Sequence, residues 1–175
     1  MRIVAGSRKG ARIFAPKGET RPTGDRVREA AFNLIGPVDE MAVLDLFAGS
    51  GAMGLEALSR GAASAVFVES DRDAQRTIER NLEKLDLTGA RIVKQDARRA
   101  LAAEAASGSR YDLVLVEPPY RMFDSLQPTL AAYLPALLAE DGLVVVETDK
   151  RTEPELPLEQ RTSRTYGSAR LTLFE

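Results

Sequence analysis

Residues 43–54, Val-Leu-Asp-Leu-Phe-Ala-Gly-Ser-Gly-Ala-Met-Gly, combine an acid and three glycines in a pattern suited to binding a small ligand. An apolar run closes on Asp45, and a Gly-Ser-Gly turn then opens into a helical pattern. The glycines allow a sharp bend and a close approach of the backbone to a ligand. The first amides of the following helix point at whatever is bound there. The stretch therefore predicts a ligand-binding loop between a strand and a helix.

The acid in this loop separates two classes of ligand. Gly49, Gly51 and Gly54 match the dinucleotide pattern G-x-G-x-x-G, which leaves a nicotinamide or flavin cofactor open. Asp45 lies four residues before the first glycine, where a carboxylate would repel a pyrophosphate. S-adenosylmethionine carries an ammonium and a sulfonium and has no phosphate, so it is the predicted cofactor. The predicted loop contacts are Asp45, Phe47, Gly49, Ser50 and Gly51.

Two further acids follow the next predicted strands. Glu69 ends a strand over 65–68 and lies 24 residues beyond Asp45. A carboxylate about 20 residues beyond the first strand commonly receives ribose hydroxyls, so Glu69, with Ser70 beside it, is the predicted ribose ligand. Asp96 and Ala97 follow a strand over 91–93, where the acid is placed to accept from an adenine amino group. An Asp at this place is also an ordinary helix N-cap.

The tetrapeptide Glu117-Pro118-Pro119-Tyr120 follows the fourth predicted strand and is named here the shelf. Two prolines stiffen the backbone and carry carbonyls without competing amide donors. Glu117 and the Pro118 carbonyl are expected to accept hydrogen bonds from the exocyclic amine of a base, which aims its lone pair at a methyl donor. Tyr120 is expected to stack on that base. An ordinary proline-rich loop is the structural alternative.

Alternating strands and helices must position these residues. Strands are predicted at 43–46, 65–68, 91–93, 111–116 and 143–146, and 161–166 with 169–174 form a closing antiparallel hairpin. A helix over about 125–139 is expected to kink or split at Pro135 and to end before Gly142. This order predicts an α/β fold with a mostly parallel seven-stranded sheet and helices on both faces, and places the acids together at the carboxyl ends of its strands.

Positive charge is concentrated at the start of the chain. Residues 1–28 carry eight Lys or Arg against two acids, a formal +6, whereas the remainder sums to −8. Residues 2–15 predict a hairpin with Arg8 and Lys9 at its tip, within an extension over 1–20 that precedes one domain over 21–175. Such a basic surface suits a polyanion, although an ordinary solvated extension explains the charge equally well. The candidate contacts are Arg8, Lys9, Arg12, Arg21, Arg26 and Arg28.

The composition excludes several kinds of chemistry. The chain has 175 residues, enough for one α/β domain, and contains neither cysteine nor histidine. Thiolate metal sites, cysteine nucleophiles, Ser-His-Asp hydrolysis and the cysteine adduct used to methylate carbon 5 of pyrimidines are therefore excluded, and no metal is expected. No long apolar run or leader is apparent, so a cytoplasmic protein is expected.

These features together resemble the RsmD family, the guanine N2-methyltransferases of bacterial small-subunit rRNA. The likeness lies in residues 1–6, in Arg-Pro-Thr-x-Asp-Arg-Val-Arg-Glu-Ala over 21–30, in 44–51 and in the shelf. It implies a Rossmann-like class I S-adenosylmethionine-dependent methyltransferase fold with a small N-terminal hairpin. It also implies an RNA-binding enzyme that methylates an extruded guanine in the assembled or assembling 30S subunit, in the manner of enzymes that modify guanine 966 of 16S rRNA. A monomer is expected.

The shelf departs from the family pattern Asp-Pro-Pro-Tyr at its first residue, Glu117. The extra methylene moves the carboxylate by about 1 Å, and misplacement on that scale costs on the order of a hundredfold in rate. Two alternatives stay open. One is an adenine-N6 DNA methyltransferase with the same kind of shelf, disfavoured because few residues remain for a DNA-reading domain. The other is an S-adenosylmethionine-binding ribosome assembly factor in which Glu117 has weakened transfer.

Overall fold

Seven strands form one sheet in the computed structural model, which describes residues 1–16 and 24–175. The strands are β1 (Ala42–Leu46), β2 (Ser64–Val68), β3 (Ala90–Val93), β4 (Tyr111–Val116), β5 (Leu138–Asp149), β6 (Gln160–Tyr166) and β7 (Ala169–Phe174). Their order is β3-β2-β1-β4-β5-β7-β6, and β7 runs antiparallel to both of its neighbours, β5 and β6. The predicted α/β class, the mostly parallel sheet and the closing hairpin are confirmed.

Five α-helices connect these strands within the described ranges. They are α1 (Asp25–Ile35), α2 (Ala52–Ser59), α3 (Arg72–Leu85), α4 (Ala97–Ala106) and α5 (Phe123–Leu137). The expected split at Pro135 is wrong, because α5 continues through it. Pro135 lies in the last turn, where its missing amide removes a single hydrogen bond, and the buried face of α5 holds the helix on the sheet. None of the helices described is long and apolar enough to cross a membrane.

The apolar core has two parts, one on each face of the sheet. One part lies under α1, α2 and α3, and the other lies under α4 and α5. Alternate residues of each central strand enter opposite parts, as the pleat requires. Ile3 and Ile13, from the N-terminal extension, are 1% and 7% exposed and belong to the first part. The extension is therefore packed into the same core as the sheet.

The N-terminal extension forms a single antiparallel bridge where the sequence predicts a hairpin of two strands. Arg2 and Arg12 form an antiparallel bridge, and a 3₁₀ turn at Gly6–Arg8 closes the loop. A Cβ atom on Gly6, whose φ is +81°, would lie 1.8 Å from the carbonyl oxygen of Ser59 in α2. Glycine is thus required where the extension crosses α2. The expected boundary between residues 20 and 21 falls in 17–23, outside the described residues.

Candidate active site

The carboxyl ends of four parallel strands meet at one edge of the sheet. Leu46 of β1 pairs with Val68 of β2 and with Val116 of β4. Val116 in turn pairs with Val146 of β5. The residues one step beyond these four are Phe47, Glu69, Glu117 and Glu147. The register therefore brings the predicted donor loop, the predicted ribose ligand and the shelf to the same edge.

The donor loop, residues 47–51, has a left-handed backbone at three positions. Phe47, Gly49 and Gly51 have φ values of +64°, +56° and +80°. A non-glycine residue in this region stores strain of order 1–3 kcal/mol, a feature concentrated at functional sites. A Cβ atom on Gly51 would lie 3.3 Å from both Ile78 and Phe67, whereas one on Gly49 would meet nothing closer than 3.9 Å. Gly51 thus faces the core, whereas a side chain at Gly49 would meet no close neighbour.

Asp45 lies beneath the donor loop. Its side chain is 1% exposed, and its Oδ2 accepts a hydrogen bond from the Gly54 amide at 2.9 Å. Burial raises the pKa of Asp45 to about 7; the Gly54 amide opposes this rise and the charge of Glu69 adds to it. The buried carboxylate holds the first turn of α2 in place, and its predicted contact with the cofactor stays a prediction.

Glu69 connects the donor loop to the start of α3. Its two carboxylate oxygens accept from the amides of Gly49 and Asp71, both at 2.8 Å. Glu69 is half-buried and Ser70 beside it is exposed. A carboxylate offers about four lone pairs, so both oxygens keep capacity for the hydroxyls of a ribose. The residue that fixes the loop can also bind a nucleoside.

Asp96 is the N-cap of α4, the structural alternative that the sequence left open. Its carboxylate accepts from the Arg98 amide at 2.9 Å and caps α4. Ala97 is 5% exposed and packs into the second part of the core. The prediction that these residues contact an adenine stays a prediction. Within the described residues, no group of three or more carboxylates is placed to hold a metal ion.

The shelf changes from buried to exposed along its four residues. Glu117 is half-buried with its Oε1 atom inside the protein, and Pro118 is buried. Pro119 is exposed, and its carbonyl accepts from the Met122 amide at 2.8 Å. Tyr120 is 38% exposed at the start of a 3₁₀ turn. An exposed aromatic ring therefore follows a half-buried carboxylate and two prolines.

Glu147 of β5 is a site residue that sequence reasoning missed. Its Oε1 accepts a hydrogen bond from the hydroxyl of Tyr120 at 3.0 Å, and the residue is 9% exposed. The register of β4 and β5 places it beside Glu117. Its signal in the sequence was an acid directly after the apolar run 143–146, although β5 continues past it to Asp149. The structure adds the partner, since Tyr120 is 27 residues away in sequence.

Arg28 is corrected as a candidate polyanion contact, because it is fully buried. Its guanidinium lies 2.8 Å from a carboxylate oxygen of Asp25 and 3.5 Å from one of Glu56. Glu56 is also buried and accepts from the amides of Val4 and Ala5 at 2.8 and 2.9 Å. Together these contacts fasten the extension to α1 and α2. The Arg28 charge is therefore used inside the protein.

Of the other basic residues predicted to contact a polyanion, Arg8 binds within the protein and three others are exposed. The guanidinium of Arg8 donates to the carbonyls of Leu85 and Asp86 at the end of α3, where a cation is favoured. This side chain points at the protein, in contrast to the tip contact that was expected. Arg21 lies outside the described residues. The exposed residues are Lys9, Arg12 and Arg26.

The comparisons with known proteins cover both the donor loop and the shelf. The family model described as "Conserved hypothetical protein 95" matches residues 1–175. YlbH of Bacillus subtilis, named provisionally as an rRNA methyltransferase, is 40% identical over 185 residues, with 100% of this chain and 98% of YlbH covered. Ribosomal RNA small subunit methyltransferase D of Escherichia coli K12 is 40% identical over 152 residues, with 85% and 75% covered. A solved hypothetical protein of Thermus thermophilus is 36% identical, with a TM-score of 0.87 over 100% of this chain and 99% of that one.

Proposed function

The chain belongs to the family of conserved hypothetical protein 95, the RsmD family, and from that premise we propose that it methylates the exocyclic N2 of a guanine in small-subunit rRNA. As a member of this family it is an S-adenosylmethionine-dependent methyltransferase. One observation supports transfer to an exocyclic amine, namely that the register brings the shelf after β4 directly beside the donor loop after β1. The choice of guanine N2 in small-subunit rRNA rests on the likeness to ribosomal RNA small subunit methyltransferase D. The proposed target is of the guanine 966 type.

The donor half of the site, formed by Asp45, Glu69 and the donor loop, fits S-adenosylmethionine. A side chain at Gly49 would meet no close neighbour, and Glu69 presents carboxylate oxygens beside it. Glu69 would accept from the ribose hydroxyls, and the loop amides would line the amino acid part. The buried Asp45 accepts from the Gly54 amide and so holds the first turn of α2, which follows the donor loop. When bound, S-adenosylmethionine supplies an electrophilic methyl group on a sulfonium.

The acceptor half, formed by the shelf and Glu147, activates an amine by orientation. The lone pair of an exocyclic amine is delocalised into the base, so the amine is a poor nucleophile. Glu117 and the Pro118 carbonyl would accept hydrogen bonds from the two N–H groups of the amine and so localise its lone pair. The Pro119 carbonyl is occupied by Met122, which favours that of Pro118 as the second acceptor. No covalent adduct is needed, in agreement with the absence of cysteine from the sequence.

Tyr120 and Glu147 hold the base in the plane that this geometry requires. The exposed ring of Tyr120 offers a stacking surface, and its hydroxyl is held by Glu147 at 3.0 Å. Glu147 is thus a positioning residue that acts through Tyr120. Fixing the ring before the base arrives lowers the conformational entropy lost on binding.

The proposed substrate is rRNA within the assembled or assembling 30S subunit, which places the protein in the cytoplasm, and the proposed active form is a monomer. Exposed Lys9, Arg12 and Arg26 supply the positive charge that phosphates attract, although the chain as a whole carries −2. Charge confined to one region suits a large polyanion that docks on one face. The buried Arg28 takes no part in this contact.

A transfer assay with isotopically labelled S-adenosylmethionine tests the substrate class. Small subunits from cells lacking this methylation, naked small-subunit rRNA and duplex DNA oligonucleotides are offered separately. Label in RNA is expected, and label in DNA alone would favour adenine-N6 methylation instead. Absence of label from all three despite donor binding would favour the assembly factor. Glu117→Asp then serves as the matched variant, because activity in the Asp form only would show that Glu117 has disabled transfer.

A further inference from the structure

An exposed phenylalanine lies against two cations on the surface of α3. Phe14 of the N-terminal extension is 37% exposed. Within the described residues, it and Tyr120 are the large hydrophobic side chains left in solvent. The Arg80 guanidinium carbon lies 4.2 Å from the centre of the Phe14 ring, and the Lys84 ammonium lies 4.5 Å from it. An aromatic ring with two adjacent cations is the side-chain chemistry that single-stranded nucleic acid binds.

Positive charge continues from this ring toward the donor half of the site. Arg76, Arg80 and Lys84 are spaced four residues apart, so they share one side of α3, and all three are exposed. The helix begins directly after Glu69 and its neighbours, at the carboxyl edge of the sheet. Within the described residues neither Arg80 nor Lys84 forms an ion pair, whereas Arg76 lies 3.4 Å from Asp73. The two cations at the ring are thus available to phosphates.

Asn81 fixes Phe14 relative to the donor loop. This side chain is fully buried, and its Oδ1 accepts from the Phe14 amide at 2.7 Å. Its Nδ2 donates to the carbonyl of Phe14 and to that of Ser50 in the donor loop, each at 3.0 Å. One buried amide therefore joins the extension, α3 and the donor loop. The ring is held at a defined place beside the cofactor end of the site.

From these contacts we propose that Phe14, Arg80 and Lys84 form a docking surface for a single-stranded segment of the RNA substrate. The inference rests on the proposed function, since it supplies a second contact for the RNA whose target base lies on Tyr120. A base stacks on the exposed part of the Phe14 ring, and the two cations bind the phosphates on either side. The contact is independent of base identity, so it positions the strand without selecting a sequence.

Equilibrium binding to small subunits and to naked small-subunit rRNA tests the surface without relying on methyl transfer. Phe14→Leu keeps apolar bulk and removes the aromatic face, so RNA affinity is expected to fall about tenfold. Phe14→Tyr keeps the face and is expected to restore it. In the double variant Arg80→Gln with Lys84→Gln, the slope of log affinity against log salt concentration is expected to fall by about one for each cation removed. The matched control is Arg164→Gln, an exposed arginine on the edge strand β6.

The affinity of each variant for S-adenosylmethionine, measured by calorimetry, completes the test. It is expected to stay at the wild-type value, because Asn81 binds the backbone of Phe14. Unchanged RNA affinity and salt dependence would overturn the docking surface. A joint loss of RNA and donor affinity in Phe14→Leu would overturn it as well, by showing that the ring supports the donor loop. The two proposals can also fail separately. If the variants bind RNA more weakly but the wild type forms no N2-methylguanosine, the proposed reaction is overturned and the docking surface is supported.

Discussion

The donor half and the acceptor half of the site are held in place by different means. In the donor half, Glu69 accepts from the Gly49 amide of the loop, and Asp45, buried beneath the loop, accepts from the Gly54 amide of α2. In the acceptor half, Tyr120 is 38% exposed and is held by a side chain on the neighbouring strand, Glu147. Substitutions in the first half should therefore change folding and cofactor binding together. Substitutions in the second half should change transfer while folding is preserved.

The largest expected effect is on the helix that follows the donor loop. Glu56→Ala removes the buried carboxylate that Arg28 and the amides of Val4 and Ala5 share. Removing one partner of a buried ion pair costs about 3–5 kcal/mol, so the free energy of unfolding should fall by that amount in urea titrations. Arg161→Ala, which removes an exposed 3.9 Å ion pair with Glu175, is the control and should change it by less than about 1 kcal/mol. Equal losses in the two variants would contradict the buried network.

Asp45→Asn should change how stability depends on pH. The pKa of this carboxyl is raised in the folded protein from 3.8 to about 7, so the folded state holds its proton over a range where the unfolded chain has released it. The contribution of Asp45 to stability is therefore greatest below about pH 4 and is lost as the pH rises through about 7. Relative to the Asn variant, the loss should reach on the order of 4 kcal/mol at about pH 8. Parallel unfolding curves for the two proteins across this range would contradict a buried, protonated Asp45.

Tyr120→Ala should separate transfer from donor binding. The substitution removes the stacking surface, and loss of base orientation is expected to lower kcat/KM by about a hundredfold. Affinity for S-adenosylmethionine should stay within about twofold of wild type, because the donor half has its own backbone contacts. Labelled methyl transfer and calorimetry measure the two quantities. Turnover equal to that of the wild type would contradict a role for Tyr120 in binding the base.

The smallest expected effect comes from Glu147→Gln, which weakens the hydrogen bond that holds Tyr120. A loss in kcat/KM of up to about tenfold is expected, since a hydrogen bond makes a net contribution of about 0.5–1.5 kcal/mol. The control is the double variant with Tyr120→Phe, which lacks the hydroxyl. If Glu147 acts through that hydroxyl, the second substitution adds little to the first. Additive losses would assign Glu147 a separate role.

The sequence predicted the donor half more completely than the acceptor half for a physical reason. The strand, the glycines and the acid lie within twelve residues, so local spacing carries most of that information. The contact between Tyr120 and Glu147 depends on the register of β4 and β5, which local spacing does not reveal. Arg28 was assigned to the surface because charged residues are rarely buried, and the partner that accommodates it, Glu56, lies on another helix. The role of Asn81 could not be predicted from the sequence, because its contacts join three segments that are distant along the chain.

Nucleoside mass spectrometry tests the central claim that the two halves together methylate guanine N2. Small subunits from cells lacking this methylation are incubated with S-adenosylmethionine and either the wild-type protein or Tyr120→Ala, and their rRNA is digested to nucleosides. New N2-methylguanosine from the wild type, and little from the variant, is the predicted result. A different methylated nucleoside, or none despite demonstrated donor binding by the wild type, would contradict it.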